Sequence, residues 1–209
     1  MDHAAFGPIP QMDPEEQHEQ RRARRYSLLI RPAKLLCSQG EFVCVLRDVS
    51  SAGASAKLFH RLPAGDCFTL ELQSGQSYEI KRVWERDLEA GFVFGTNVDV
   101  DQVVSEIGAF RKRGLRLALN FPVTLMAGPV RKLALVENIS QQGARLECSE
   151  LLALDQSLRL EGPGLRETRA KVRWRSDENY GLVFDDTFSL RDFALLAARL
   201  QAPGLLVGA

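Results

Sequence analysis

From Ser27 onward the chain alternates short runs of Val, Leu, Ile and Phe with Gly, Asp, Ser and Pro. Successive side chains on a strand point to opposite faces, so short runs of this kind bounded by turn residues read as strands. They predict strands at 27–36, 41–49, 54–59, 67–73, 78–85 and 91–96. The period then changes. Val103, Val104, Ile107 and Phe110 recur at helical spacing, with Asp99 or Asp101 placed to cap a helix over 101–112. Strand patterning resumes at 116–126, 132–138, 144–149, 156–161, 167–175 and 181–185. A last helix follows Ser189, which forms a capping box with Asp192 and is followed by the stripe Phe193, Leu196 and Leu200.

The second half repeats the first. Asp48-Val49-Ser50-Ser51-Ala52-Gly53 stands 90 residues before Asn138-Ile139-Ser140-Gln141-Gln142-Gly143. The same offset relates Trp84 to Trp174, Gly91 to Gly181 and Phe94 to Phe184. Upstream the offset is 91, aligning Arg25 with Arg116 and Leu28 with Leu119, a slip of one residue of the sort a hairpin loop tolerates. A period this long is no solenoid repeat; it marks two copies of one small domain. The expected divisions are a leader at 1–19, a first domain at 20–110 and a second at 111–203.

Composition narrows the reading. The leader holds three prolines and five acidic residues and little to build a core, so it is expected to be disordered. Lys+Arg and Asp+Glu balance at 27 each, which gives no basic excess to attract nucleic acid or an acidic membrane. No uncharged apolar run approaches the ~20 residues of a membrane span, and no signal peptide stands at the start. These features predict a soluble cytoplasmic protein. The four cysteines, at 37, 44, 67 and 148, fit neither a zinc clip nor a redox pair and read as core fillers, so no metal is expected. Trp84 and Trp174 read as core or barrel-lid residues, and His60 as a surface residue at a strand end.

Chemistry concentrates at one place in each copy. In the first, the basic cluster Arg21-Arg22-Ala23-Arg24-Arg25 precedes the first strand, and Asp48-x-Ser50-x-x-Gly53 falls between the second and third. Arginine presents a planar fork that binds phosphate bidentately and stacks on a base. A carboxylate at Asp48 can accept from a guanine N1–H and exocyclic amine, and Ser50 can donate or accept at a base edge or phosphate. Gly53 permits positive φ and a close backbone approach. The set suits a compact anion carrying guanine and phosphate.

RxxxR (Arg21, Arg25) with [D/N]xSxxG (Asp48, Ser50, Gly53), followed by Trp84 and Gly91-Phe92-Val93-Phe94, resembles the PilZ family, whose members are six-stranded β-barrels that bind the bacterial second messenger cyclic di-GMP. The resemblance spans about 20–112 and again 111–202. It implies an all-β chain of two tandem six-stranded antiparallel barrels, each followed by an α-helix. It also implies that Arg21 and Arg25, with Arg22 beside them, hold guanines and phosphates, that Asp48 and Ser50 read a guanine, and that Gly53 gives the close approach. Gln20 stands where members that bind a pair of ligand molecules often carry a further arginine. The second copy departs more: its arm reads KxxxR (Lys112, Arg116), and lysine neither stacks nor clamps. It keeps Asn138, Ser140 and Gly143, with Arg145 where the first copy has Ser55, and forms a possible second site.

No P-loop, metal-binding helix or nucleophile elbow is present, so an enzyme is not expected. The leading reading is a cyclic di-GMP receptor that relays the signal to an effector protein, with ligand held mainly by the first domain. A ligand-free tandem-barrel adaptor of a motility or secretion machine is the alternative. Single-stranded nucleic-acid binding is disfavoured by the zero net charge and by the confinement of the arginine clusters to two arms.

Overall fold

The computed structural model describes residues 26–105 and 114–206. Six antiparallel strands form the first barrel: β1 (Tyr26–Cys37), β2 (Gly40–Val49), β3 (Gly53–Lys57), β4 (Cys67–Leu72), β5 (Ser77–Arg86) and β6 (Glu89–Phe94). They close in the order β1-β2-β3-β6-β5-β4. Alternation along each strand sends one row inward. Leu35 on β1, Leu46 on β2, Leu70 on β4, Ile80 on β5 and Phe92 on β6 meet in a single core.

The second barrel repeats the plan with β7 (Arg116–Leu117), β8 (Phe121–Ala127), β9 (Val130–Ser140), β10 (Gly143–Glu147), β11 (Ser157–Gly162), β12 (Leu165–Ser176) and β13 (Asn179–Phe184). Strands β8-β9-β10-β13-β12-β11 close the ring, and β7 extends the β8 edge along β9. The strand expected at 116–126 is therefore interrupted after Leu117. Between Leu117↔Ile139 and Phe121↔Val136, four residues advance against three of β9. In the first barrel, between Ser27↔Asp48 and Arg31↔Leu46, four advance against two. The one-residue slip between the copies thus lies in the bulge of the first strand rather than in a hairpin loop. An irregular ladder absorbs an added residue locally.

Helix α1 (Val100–Ser105) follows the first barrel and buries Val103 in its core. The rest of the helix expected to 112 lies outside the described residues. After the second barrel, α2 (Leu190–Gln201) starts at Ser189, whose Oγ accepts from Asp192 N at 3.1 Å, as the capping box predicts. Phe193, Leu196 and Ala197 are buried, and Leu200 packs against the same core at partial exposure. This helix also serves the first barrel: Val43, on the outer face of β2, is buried in the second domain's hydrophobic cluster. Gln201 fastens the contact, accepting from Glu41 N at 2.8 Å and donating from Nε2 to Glu41 O at 2.7 Å.

Three expectations are corrected. His60 is fully buried, because the β3–β4 connection lies under the second domain; Arg61 N donates to Leu205 O at 2.9 Å and Phe59 packs against the second core. Of the two readings of Trp84 and Trp174, core or barrel lid, the core is excluded, since they are 45% and 44% exposed. A register shift in β5 just before Trp84, repeated in β12 before Trp174, lays each indole along the outside of its barrel. Of the cysteines, Cys44 and Cys148 fill core positions, whereas Cys67 opens β4 in an exposed position.

Candidate functional site

The site of the first barrel begins at the join of β2 and β3. Ser50 N donates to Gly53 O at 2.8 Å, and Ser50 Oγ both donates to Gly53 O and accepts from Gly53 N, each at 3.2 Å. Serine favours such side-chain to backbone bonds, so the hydroxyl expected at a base edge is first a fixture of its own turn. Two residues back, Asp48 faces Ser55 across the β2–β3 pairing and accepts from Ser55 Oγ at 3.1 Å. A carboxylate has about four acceptor positions, and Ser55 Oγ occupies one of them.

Gly53 answers to the barrel. Its φ is not positive, contrary to the expectation from sequence. A Cβ there would overlap the carbonyl oxygen of Phe92 on β6, and one at Gly143 would overlap that of Leu182 on β13. In both barrels this glycine lets two paired strands approach closely, a requirement of packing present with or without ligand.

Around the turn lies an open cavity of about 550 Å³, lined by Arg47, Asp48, Ser50, Gly53, Trp84 and Phe92 among others. Trp84 forms a wall. Its indole lies over Gly91, its cross-strand partner, where any Cβ would collide with the ring. Trp174 lies over Gly181 in the same way. Arg47 and Trp84 were not among the residues singled out for the site. The signal for Trp84 was the recurrence of Trp seven positions before Gly in both copies; a ring that needs a bare glycine beneath it stands on a strand surface. Arg47 carried no signal beyond preceding Asp48.

Arg21, Arg22, Arg25 and Lys112 lie outside the described residues. The described part of β1 begins beside the turn, where Tyr26 pairs with Val49 and Ser27 with Asp48, and Arg25 precedes Tyr26 in the sequence. Its counterpart Arg116 is described; it is exposed on β7, directly opposite Ser140.

The second copy keeps the turn but differs in electrostatics. Ser140 Oγ donates to Gly143 O at 3.1 Å, and Asn138 faces Arg145 across β9–β10 as Asp48 faces Ser55. Arg145 is already engaged: Nε lies 2.6 Å from Glu137 Oε2, and Nη2 donates to Asn179 Oδ1 at 2.9 Å. Among the described residues no cluster of His, Cys, Asp or Glu is arranged to hold a metal, and no helix is long and apolar enough to cross a membrane.

Comparison with known proteins gives the class. Residues 19–111 and again 109–202 match the PilZ domain, and the chain belongs to that family. No curated protein matches it. Among solved structures, PlzA of Borreliella burgdorferi in complex with c-di-GMP is similar at 9% identity, with 90% of this chain and 97% of that one covered and a TM-score of 0.35. The Bacillus subtilis inhibitor of motility MotI/DgrA is similar at 16% identity, with coverage of 81% and 94% and a TM-score of 0.31. YcgR of Escherichia coli in complex with c-di-GMP is similar at 12% identity, covering 74% and 76%, with a TM-score of 0.29.

Proposed function

We infer that the chain is a receptor for cyclic di-GMP, not an enzyme, and that the first barrel supplies the principal site. The observation that carries this reading is the cavity around Asp48, Ser50 and Trp84 beside the start of β1, a strand that Arg21, Arg22 and Arg25 precede in the sequence. In the complex, the arginines clamp phosphates and guanines and Asp48 accepts from a guanine edge. Hydrogen bonds to a charged group contribute roughly 1.5–3 kcal/mol each, and a bidentate clamp makes two. Trp84 offers an indole face at the rim.

The second barrel is the weaker site. Glu137 and Asn179 occupy the guanidinium of Arg145, and Lys112 replaces the first arginine of the arm. A ligand there must displace an ion pair and lacks one stacking clamp. The bound state is then relayed to an effector protein in the bacterial cytoplasm.

Calorimetric titration of the full chain with cyclic di-GMP tests this, with cyclic di-AMP and a homopolymeric oligonucleotide as controls. Saturable binding of cyclic di-GMP alone is expected. No binding of any of the three leaves the ligand-free adaptor; binding of the oligonucleotide alone marks a nucleic-acid protein.

A further inference from the structure

A row of side chains on β9 points away from the second core. Ala134 and Val136 face inward, so Arg131, Leu133, Leu135 and Glu137 share the outer face. Leu133 is 77% exposed and Leu135 41%. On the neighbouring β8, Pro122 lies opposite Leu135 and Thr124 opposite Leu133, while on β10 the exposed Glu147 lies opposite Leu135, so the leucines are flanked by uncharged residues on one side and by one carboxylate on the other. Single exposed leucines are ordinary on protein surfaces, but adjacent outward positions on one strand form a patch.

The internal repeat shows what this face does in the first copy. Ninety residues earlier, on β2, the equivalent positions are Val43 and Val45, which are 0% and 6% exposed. Val43 is covered by the second domain, whose α2 is fastened to β2 at Glu41. The outer face of this strand is therefore already an interface between two copies of the domain, one within the chain and one left open at β9.

We propose that the β9 face pairs with the same face of a second copy of this chain, forming a two-fold dimer. The order along the row is positive, apolar, apolar, negative. A two-fold axis between Leu133 and Leu135 superposes the apolar pairs and sets Arg131 of one chain opposite Glu137 of the second copy at both ends. Facing sheets align within about 30°, so the ends of the rows stay in register. An isologous contact of this kind closes at two chains and does not propagate. Glu137 keeps Arg145 beside it, so the second copy's Arg131 adds to an existing ion pair. The proposal is independent of the ligand.

Sedimentation equilibrium of the full chain tests it. The wild type is expected to be a dimer that dissociates on dilution, and L133E/L135E should weaken association by about a hundredfold, since each leucine's burial is lost and a charge is added. L133E alone should weaken association while melting like the wild type, because Leu133 is exposed and faces Thr124, whereas L135E also sets a carboxylate opposite Glu147. R131E should weaken association several-fold by setting like charges opposite each other, and R131E/E137R should recover part of what R131E loses, the rest being offset by the loss of Arg145's partner. A wild type that is monomeric throughout, L133E/L135E association equal to wild type, or a charge exchange that deepens the loss would each overturn the proposal.

Discussion

Ser55 Oγ donates a 3.1 Å hydrogen bond to Asp48 Oδ2 directly across the pairing of β2 with β3. The equivalent positions of the second barrel hold Arg145 and Asn138, and there the arginine turns to Glu137 and Asn179 instead. One strand pairing thus joins a carboxylate to a hydroxyl in the first copy and places an ion-paired arginine opposite an amide in the second. An anionic ligand brought in by arginines can use the carboxylate to read a guanine's donors, which adenine does not offer in the same pattern.

Asp48→Ala is therefore expected to remove most of the discrimination between cyclic di-GMP and cyclic di-AMP. The protein should stay folded, losing about 1 kcal/mol or less. Competition binding of the two ligands, with a thermal melt of the same preparation, checks both halves. Selectivity surviving in the folded variant would show that another group reads the base.

Gly53→Ala and Gly143→Ala should behave alike. Each places a Cβ against a carbonyl oxygen of the facing strand, Phe92 in one barrel and Leu182 in the other. Strand backbone does not yield as a flexible side chain does, so each change should cost about 1–3 kcal/mol, read by chemical denaturation without ligand. A normal melt for Gly53→Ala with a large affinity loss would return that glycine to a ligand role.

His60 makes stability depend on pH. It is fully buried against Phe42 with a ring-centroid distance of 5.2 Å, and its Nδ1–H donates to Arg61 O at 2.7 Å. Burial lowers its pKa from the ordinary value of 6.5. The unfolded chain accordingly takes up the proton first as pH falls. The neutral ring's stabilisation is complete above the unfolded pKa and is lost between 6.5 and the lower folded value. The difference in melting temperature between about pH 7.5 and about pH 5.5 should be larger for the wild type than for His60→Phe. Equal differences would remove His60 as a cause.

Much of this architecture was legible in the chain because strands and turns write themselves locally. Alternation gave the barrel strands to within a few residues, and Ser189 with Asp192 gave the start of the last helix. What escaped depends on contacts distant in sequence. The burial of His60 needs the tail around Leu205, and the break after Leu117 needs the register of β9, neither of which leaves a local mark. The core alternative for Trp84 and Trp174 arose because tryptophan is usually well buried; the glycines opposite them were the sign of a surface ring. At the candidate site, the motif identified Asp48 and Ser50, while the ion pair that occupies Arg145 became visible only in three dimensions.

The central claim is that the first barrel's arm and cavity form the working receptor site. The most direct measurement is calorimetric titration of cyclic di-GMP into the wild type, Arg25→Ala and Arg116→Ala. Arg25→Ala is expected to lose about a hundredfold in affinity, equivalent to roughly 2.7 kcal/mol, and Arg116→Ala less than about tenfold. Equal losses at the two arginines, or a loss confined to Arg116→Ala, would contradict it.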